Sequence, residues 1–218
     1  MLSQGVVFDP SGANTPDGST ASVNLGRAND LIVSELHGKY FQQCYRGNVY
    51  YASTTTGGVV IPISSTLTPT YSLWNPAGSG KLIVPIVTLI TWTVTTGALG
   101  GLLWTATTNA GSSISTTAPF VAFGTGTPVN ANLGSGKVSQ LKAATGGTTT
   151  LVAAPSVFRI MGITLITQAI TVPTAPFTMR DDWDGAGIIP PGNAIHLMGT
   201  TAVAFTANIT TVYEEVPL

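Results

Sequence analysis

The sequence predicts an all-β fold, an antiparallel sandwich or barrel, on three observations. Thr is abundant and accompanies 25 Gly and 14 Pro, so β-branched residues that suit pleated strands alternate with residues that suit turns. From about residue 57 onward, short apolar runs recur between turn signals such as Asn75-Pro76-Ala77-Gly78, Gly124-Thr125-Gly126, Gly146-Gly147 and Pro190-Pro191-Gly192. Repeated strand–helix units are missing, which argues against a doubly wound sheet.

Taken in order, residues 1–27 are rich in Gly, Ser, Asn, Asp and Pro and read as an extended N-terminal arm. Residues 28–56 form a connecting segment. It opens with a predicted short helix, Asn29–His37, capped by Asn29 or Asp30, with Ile32 and Leu36 on one face and Gly38 as its stop. It continues through Tyr40, Phe41, Tyr45, Tyr50 and Tyr51, with Arg46-Gly47-Asn48 expected as a turn between two short strands. Residues 57–218 form the β domain. Its predicted strands are Val59–Ser64, Tyr71–Asn75, Leu82–Thr95, Leu102–Thr108, Phe120–Phe123, Thr148–Ala153, Val157–Thr167, Phe177–Asp181, Ala194–Gly199 and Val203–Glu215. In the last, Val203, Phe205, Ala207, Ile209 and Thr211 fall on one face, the period of two of a half-buried strand.

Charge is scarce. Only 17 of 218 residues are Asp, Glu, Lys or Arg, and none lies in the 55 residues between Lys81 and Lys137. Ordinary soluble domains carry roughly 25 %. Net charge near zero removes colloidal repulsion and favours association, so much of this exterior is expected to be covered by copies of the chain or a partner. A net charge of −1 with no clustered basic face argues against nucleic acid as a partner. The amino terminus has no basic and apolar signal-peptide pattern, which suggests an intracellular protein or one released inside a particle. Leu82–Ala106 is long enough to span a bilayer, but alternating Thr, Pro85, the Gly97/Gly100/Gly101 cluster and the lack of basic flanks argue for strands.

No motif specifies catalysis or a cofactor. Cys44 is the lone cysteine, expected as a small buried hydrophobe. Two stretches imitate a phosphate loop, NPAGSGKL and NLGSGKV. Each lacks the first Gly (Asn75 and Ala131 stand there) and the hydroxyl after Lys (Leu82 and Val138), so both read as turns. Around Arg180-Asp181-Asp182-Trp183-Asp184-Gly185, Asp182 and Asp184 are weak candidates for a metal. They match the spacing of a calcium loop, yet Arg180 and Pro191 occupy ligand positions. A solvated loop, or an Arg180–carboxylate pair across a subunit boundary, is the simpler expectation. His37 and His196 have neither metal-ligand spacing nor a nucleophile elbow. Glu214 and Glu215 point to opposite strand faces. Trp92 is expected in the core. Trp74 and Trp183 lie at turns and, with Tyr40, Phe41 and Tyr45, are the candidate interface residues, since aromatics anchor protein interfaces; the same two Trp could line a sugar site.

The segments ELHGKYFQQCYRGNVYYA, YSLWNPAGSGK, IIPPGNAIHLMG and the terminal VYEEVPL resemble structural proteins of tailed-bacteriophage virions, closest to small β-sandwich proteins that decorate or cement the head. The resemblance spans residues 35–218. It implies an antiparallel β-sandwich of jelly-roll type, self-association, often as a homotrimer, and attachment to the major capsid protein or other virion proteins. The resulting expectation is a non-enzymatic structural protein of the virion, with no cofactor, nucleic acid or membrane partner. The alternative is a receptor- or carbohydrate-binding module of a tail fibre or lectin, motivated by Trp74, Trp183 and the aspartate cluster.

Overall fold

The computed structural model describes residues 4–7, 19–22, 38–94, 101–108, 128–145, 150–151, 154–163, 178–200 and 205–218. Its elements are β1 (Gln4–Val7), β2 (Ser19–Ser22), α1 (Phe41–Tyr45), β3 (Val49–Ser53), β4 (Val59–Ile61), β5 (Tyr71–Trp74), β6 (Lys81–Val94) and β7 (Gly101–Thr108). They continue with β8 (Val129–Asn130), β9 (Lys142–Thr145), β10 (Ser156–Ile163), β11 (Thr178–Asp182), β12 (Asn193–Gly199) and β13 (Phe205–Pro217).

Two antiparallel sheets form a sandwich. One runs β11-β6-β13-β3-β8, with β4 also against β13; the other runs β10-β7-β12-β5-β9. The pairing is nested: β3 with β13, β5 with β12, β6 with β11, and β7 with β10. Successive strands from β4 to β9 alternate between the sheets. The crossing after β4 is visible in two bridges, Ile61 with Phe205 in one sheet and Ile63 with Gly199 in the other.

The period of two places the core. Ile83, Ile90, Ala207, Ile209 and Tyr213 point inward from the six-stranded sheet and meet Tyr71, Leu73, Leu102, Trp104 and Leu197 from the other. Each buried aliphatic or aromatic side chain contributes roughly 1.5–3 kcal/mol. Tyr71 spans the interface: its hydroxyl lies 3.0 Å from the Ala52 carbonyl and 2.9 Å from Thr211 Oγ1. Thr211 bonds Thr88 at 3.1 Å, and Thr88 accepts the Trp183 indole N–H at 3.3 Å. The buried polar atoms of Tyr71, Thr211, Thr88 and Trp183 thus satisfy one another.

Pro85 lies within the interior strand β6, where it could not donate to a ladder. The strand accommodates it at a bulge: the β13 register shifts between Val212 and Tyr213, opposite Pro85, and β11 pairs β6 only from Val87 to Thr91. Leu82–Ala106 is therefore strand on both sides of residues 95–100, which lie outside the described residues, and no described helix is long and apolar enough to cross a membrane.

One expectation is corrected: residues 41–45 are a single helical turn rather than a strand. Phe41 and Tyr45, four apart, stack at 6.1 Å on its surface. The turn ends in a glycine cap: Gly47 has φ +69°, its N–H bonds Cys44 O at 2.9 Å, and Asn48 N–H bonds Gln43 O at 3.0 Å. Among the described residues of 128–155 the strands are β8 and β9; the predicted strand Thr148–Ala153 lies outside the described residues except for Thr150 and Leu151. The predicted helix Asn29–His37 and strand Phe120–Phe123 lie outside the described residues. Within the predicted arm, β1 and β2 pair antiparallel, from Gln4 with Ser22 to Val7 with Ser19.

Candidate interaction surface

The exposed aromatic residues of α1 share a corner of the sandwich with the segment between β8 and β9. Three polar contacts fix this corner. Asn132 Nδ2 donates to Tyr45 O at 3.1 Å, Asn130 Nδ2 to Gly47 O at 2.9 Å, and Lys137 Nζ to Arg46 O at 2.6 Å. A side chain at Gly47 would meet Ser135 Cβ at 3.0 Å, so the glycine both ends the helix and admits the neighbouring loop. The corner exposes apolar side chains: Phe41 at 39 %, Tyr45 at 51 %, Leu133 at 87 % and Val138 at 68 % relative accessibility. Exposed Tyr51 on β3 and exposed Val129 on β8 are register partners and add a second apolar pair on the outer face of the six-stranded sheet.

Beneath this corner lies a buried carboxylate. Glu215 Oε1 accepts from Ser139 Oγ at 2.6 Å, Gln140 N–H at 2.8 Å and Leu141 N–H at 3.2 Å. Ser139 has one hydroxyl proton and gives it to Glu215, so the 2.7 Å contact with the Tyr213 hydroxyl is donated by Tyr213. Burial pushes the Tyr213 phenol well above its usual range. Glu215 thereby pins the strap that adds β8 to one sheet and β9 to the other. Its neighbour Glu214, on the opposite strand face, is half-buried. Desolvation raises its carboxyl above the ordinary value, and the nearby Arg46 charge opposes that shift.

The other candidates fall elsewhere. Tyr40 is half-buried, with Lys39 Nζ 5.1 Å from its ring centroid. Trp74 is half-buried and packs against Leu151 and Ala194 on the far face of the five-stranded sheet. Trp183, expected as an exposed contact, is a core residue at 1 % accessibility. Its ring lies 5.4 Å from Trp104 and stacks on Phe158 at 6.0 Å, with the Arg159 guanidinium 5.0 Å from its centroid. Trp183 follows β11 directly, and its N–H bonds Ile86 O at 2.9 Å, which carries the ring inward. Trp92, expected in the core, is half-buried against it.

Asp182 and Asp184 do not converge. Arg180 grips Asp182 through Nε at 2.8 Å and Nη2 at 2.7 Å, while Lys39 Nζ bonds Asp184 at 2.7 Å. The Arg180 pair holds the Asp182 carboxyl below its ordinary range. Both pairs lie within the chain and are exposed, so water screens them. Among the described residues, no three His, Cys, Asp or Glu side chains assemble a metal site. Cys44, expected as a core hydrophobe, is half-buried; burial pushes its thiol up. His196 is fully buried on β12, with Nδ1 2.7 Å from Ser72 Oγ and Nε2 3.0 Å from Thr107 Oγ1. Desolvation lowers its pKa to about 3, so the imidazole is neutral. His37 lies outside the described residues.

Sequence reasoning missed Leu133, Val138 and Val129, because apolar residues in a Gly- and Asn-rich stretch carry no period. Tyr51 was missed as well, although alternation that buries Tyr50 must turn Tyr51 outward. No protein-family model, curated protein or solved structure matches the chain.

Proposed function

We propose that this chain is a non-enzymatic virion structural protein that self-associates, as a homotrimer, and binds a capsid lattice formed by the major capsid protein, as a decoration, cement or minor capsid component. The observation that carries the reading is the exposed apolar surface of Phe41, Tyr45, Leu133, Val138, Tyr51 and Val129 on a chain with 8 % charged residues. Large apolar side chains exposed together on a soluble protein mark interaction sites. The nested pairing of β3 with β13, β5 with β12, β6 with β11 and β7 with β10 supports a jelly-roll sandwich, an architecture that serves viral capsids and lectins alike. Repeated attachment to a lattice multiplies a modest single-site affinity.

Light scattering across a concentration series tests the proposal, followed by pelleting with capsids. Mass rising to that of a trimer, and co-sedimentation, are expected. A monomer at every concentration that leaves capsids undecorated overturns it. The carbohydrate-binding alternative loses support from Trp183, which offers no open ring face, and from Asp182 and Asp184, whose carboxylates are held by cations.

A further inference from the structure

We infer that the corner formed by α1 and the β8–β9 strap receives the N-terminal segment of a second copy, an assignment that rests on the self-association proposed above. Charge is divided unequally along the chain. Residues 1–37 hold Asp9, Asp17, Asp30 and Glu35 against Arg27 alone, a net −3, whereas residues 38–218 hold seven Lys and Arg against five Asp and Glu, a net +2. The ion pairs within the described part use Lys39, Arg159 and Arg180. Arg46, Lys81, Lys137 and Lys142 stand in none of them. Two of these four, Arg46 and Lys137, lie at the apolar corner: Lys137 Nζ caps Arg46 O, and buried Arg46 Nε has no hydrogen-bond partner. Among the described residues, Glu214 is the carboxylate on which the Arg46 charge acts. The corner is therefore apolar and cationic, and the complementary chemistry, apolar and anionic, occurs in the chain itself. Val6-Val7-Phe8-Asp9 and Asp30-Leu31-Ile32-Val33 each set a carboxylate beside three hydrophobic residues. Exposed ion pairs are individually weak and screened by salt, so the apolar residues supply affinity and the charges supply register.

The test is a charge swap read by sedimentation velocity on the full chain. Lys137→Glu, and separately Asp30→Lys with Glu35→Lys, should each weaken self-association about tenfold at low salt. An equimolar mixture of the two variants should recover it, because each variant's segment then matches the other's corner. Leu133→Ala, at the most exposed apolar residue, should weaken association at any salt without altering the fold. Association unchanged in all these variants overturns the assignment and leaves the proposed structural role standing. Recovery only when all three charge changes share one chain also overturns it, by showing that the segment docks on its own copy. A wild-type chain that stays monomeric at all concentrations overturns both.

Discussion

Trp104 donates its indole N–H to Asp181 Oδ2 at 3.2 Å, and the two residues belong to different sheets. Arg159, on the edge strand β10, holds the other carboxylate oxygen at 2.8 Å and the Asp182 carbonyl at 2.9 Å. One buried aspartate thus joins the sheets along the side where both end, at β10 and β11. Asp181→Ala would strand a buried N–H and a partly buried guanidinium, at a cost of about 2–4 kcal/mol. Urea denaturation reads it.

The same carboxylate sets a pH dependence. Desolvation raises the Asp181 pKa above 3.8, against the opposing pull of Arg159 and Trp104. A group whose pKa is raised by folding stabilises the fold when protonated, and that contribution fades as pH climbs through the folded value. Asp181→Asn, which keeps an acceptor for Trp104, should remove this component. Denaturation midpoints of wild type and variant measured upward from about pH 4 should diverge; parallel curves would refute the assignment.

His196 acts with the opposite sign. Its pKa falls from 6.5 to about 3 on folding, so its contribution is complete above 6.5 and is lost as pH drops toward 3. Each unit is worth about 1.4 kcal/mol, giving several kcal/mol over the window. His196→Gln is expected to flatten the acid limb of the stability curve, measured by thermal melts from pH 7 to pH 3.

Gly187 is a packing requirement. A Cβ there would lie 2.7 Å from Trp183 Cζ3 and 2.8 Å from Cε3, inside a ring held by Trp104, Phe158 and Arg159. Gly187→Ala should cost about 1–3 kcal/mol and change Trp fluorescence. A variant as stable as wild type would show that the ring moves freely.

Glu215 supplies the acceptor for two backbone N–H groups and one hydroxyl of the strap. Glu215→Ala takes the acceptor from the buried Ser139 hydroxyl and from Gln140 N–H and leaves Leu141 N–H only Ser139 Oγ, at 3.1 Å, at a cost of about 1–3 kcal/mol. Amide exchange should accelerate first at Gln140 and Leu141, while β12 and β13 keep their protection.

Alternation and turn chemistry made the sandwich legible. β5, β6, β7, β12 and β13 lie within a residue or two of their expected bounds at most ends, because each couples an apolar run to Gly, Pro or Asn at its end. α1 was not legible: Phe41-Gln42-Gln43-Cys44-Tyr45 has no core-facing stripe, and only the cap at Gly47 and the ring stack declare the turn. Trp183 was misjudged because its neighbours in sequence are charged, whereas its neighbours in space come from β7 and β10. Glu215 and Asp181 also escaped the sequence, since the donors around them arrive from segments about 75 residues distant.

Strand β13 lies between β6 on one side and β3 and β4 on the other. Three ladders therefore wait for a segment that the ribosome makes after every strand it pairs with. Until then β3, β4 and β6 present bare edges, and contacts separated by some 160 residues close late and slowly. A nascent chain of this design is open to mispairing until β13 emerges, and a chaperone that shields those edges up to that point would raise its yield.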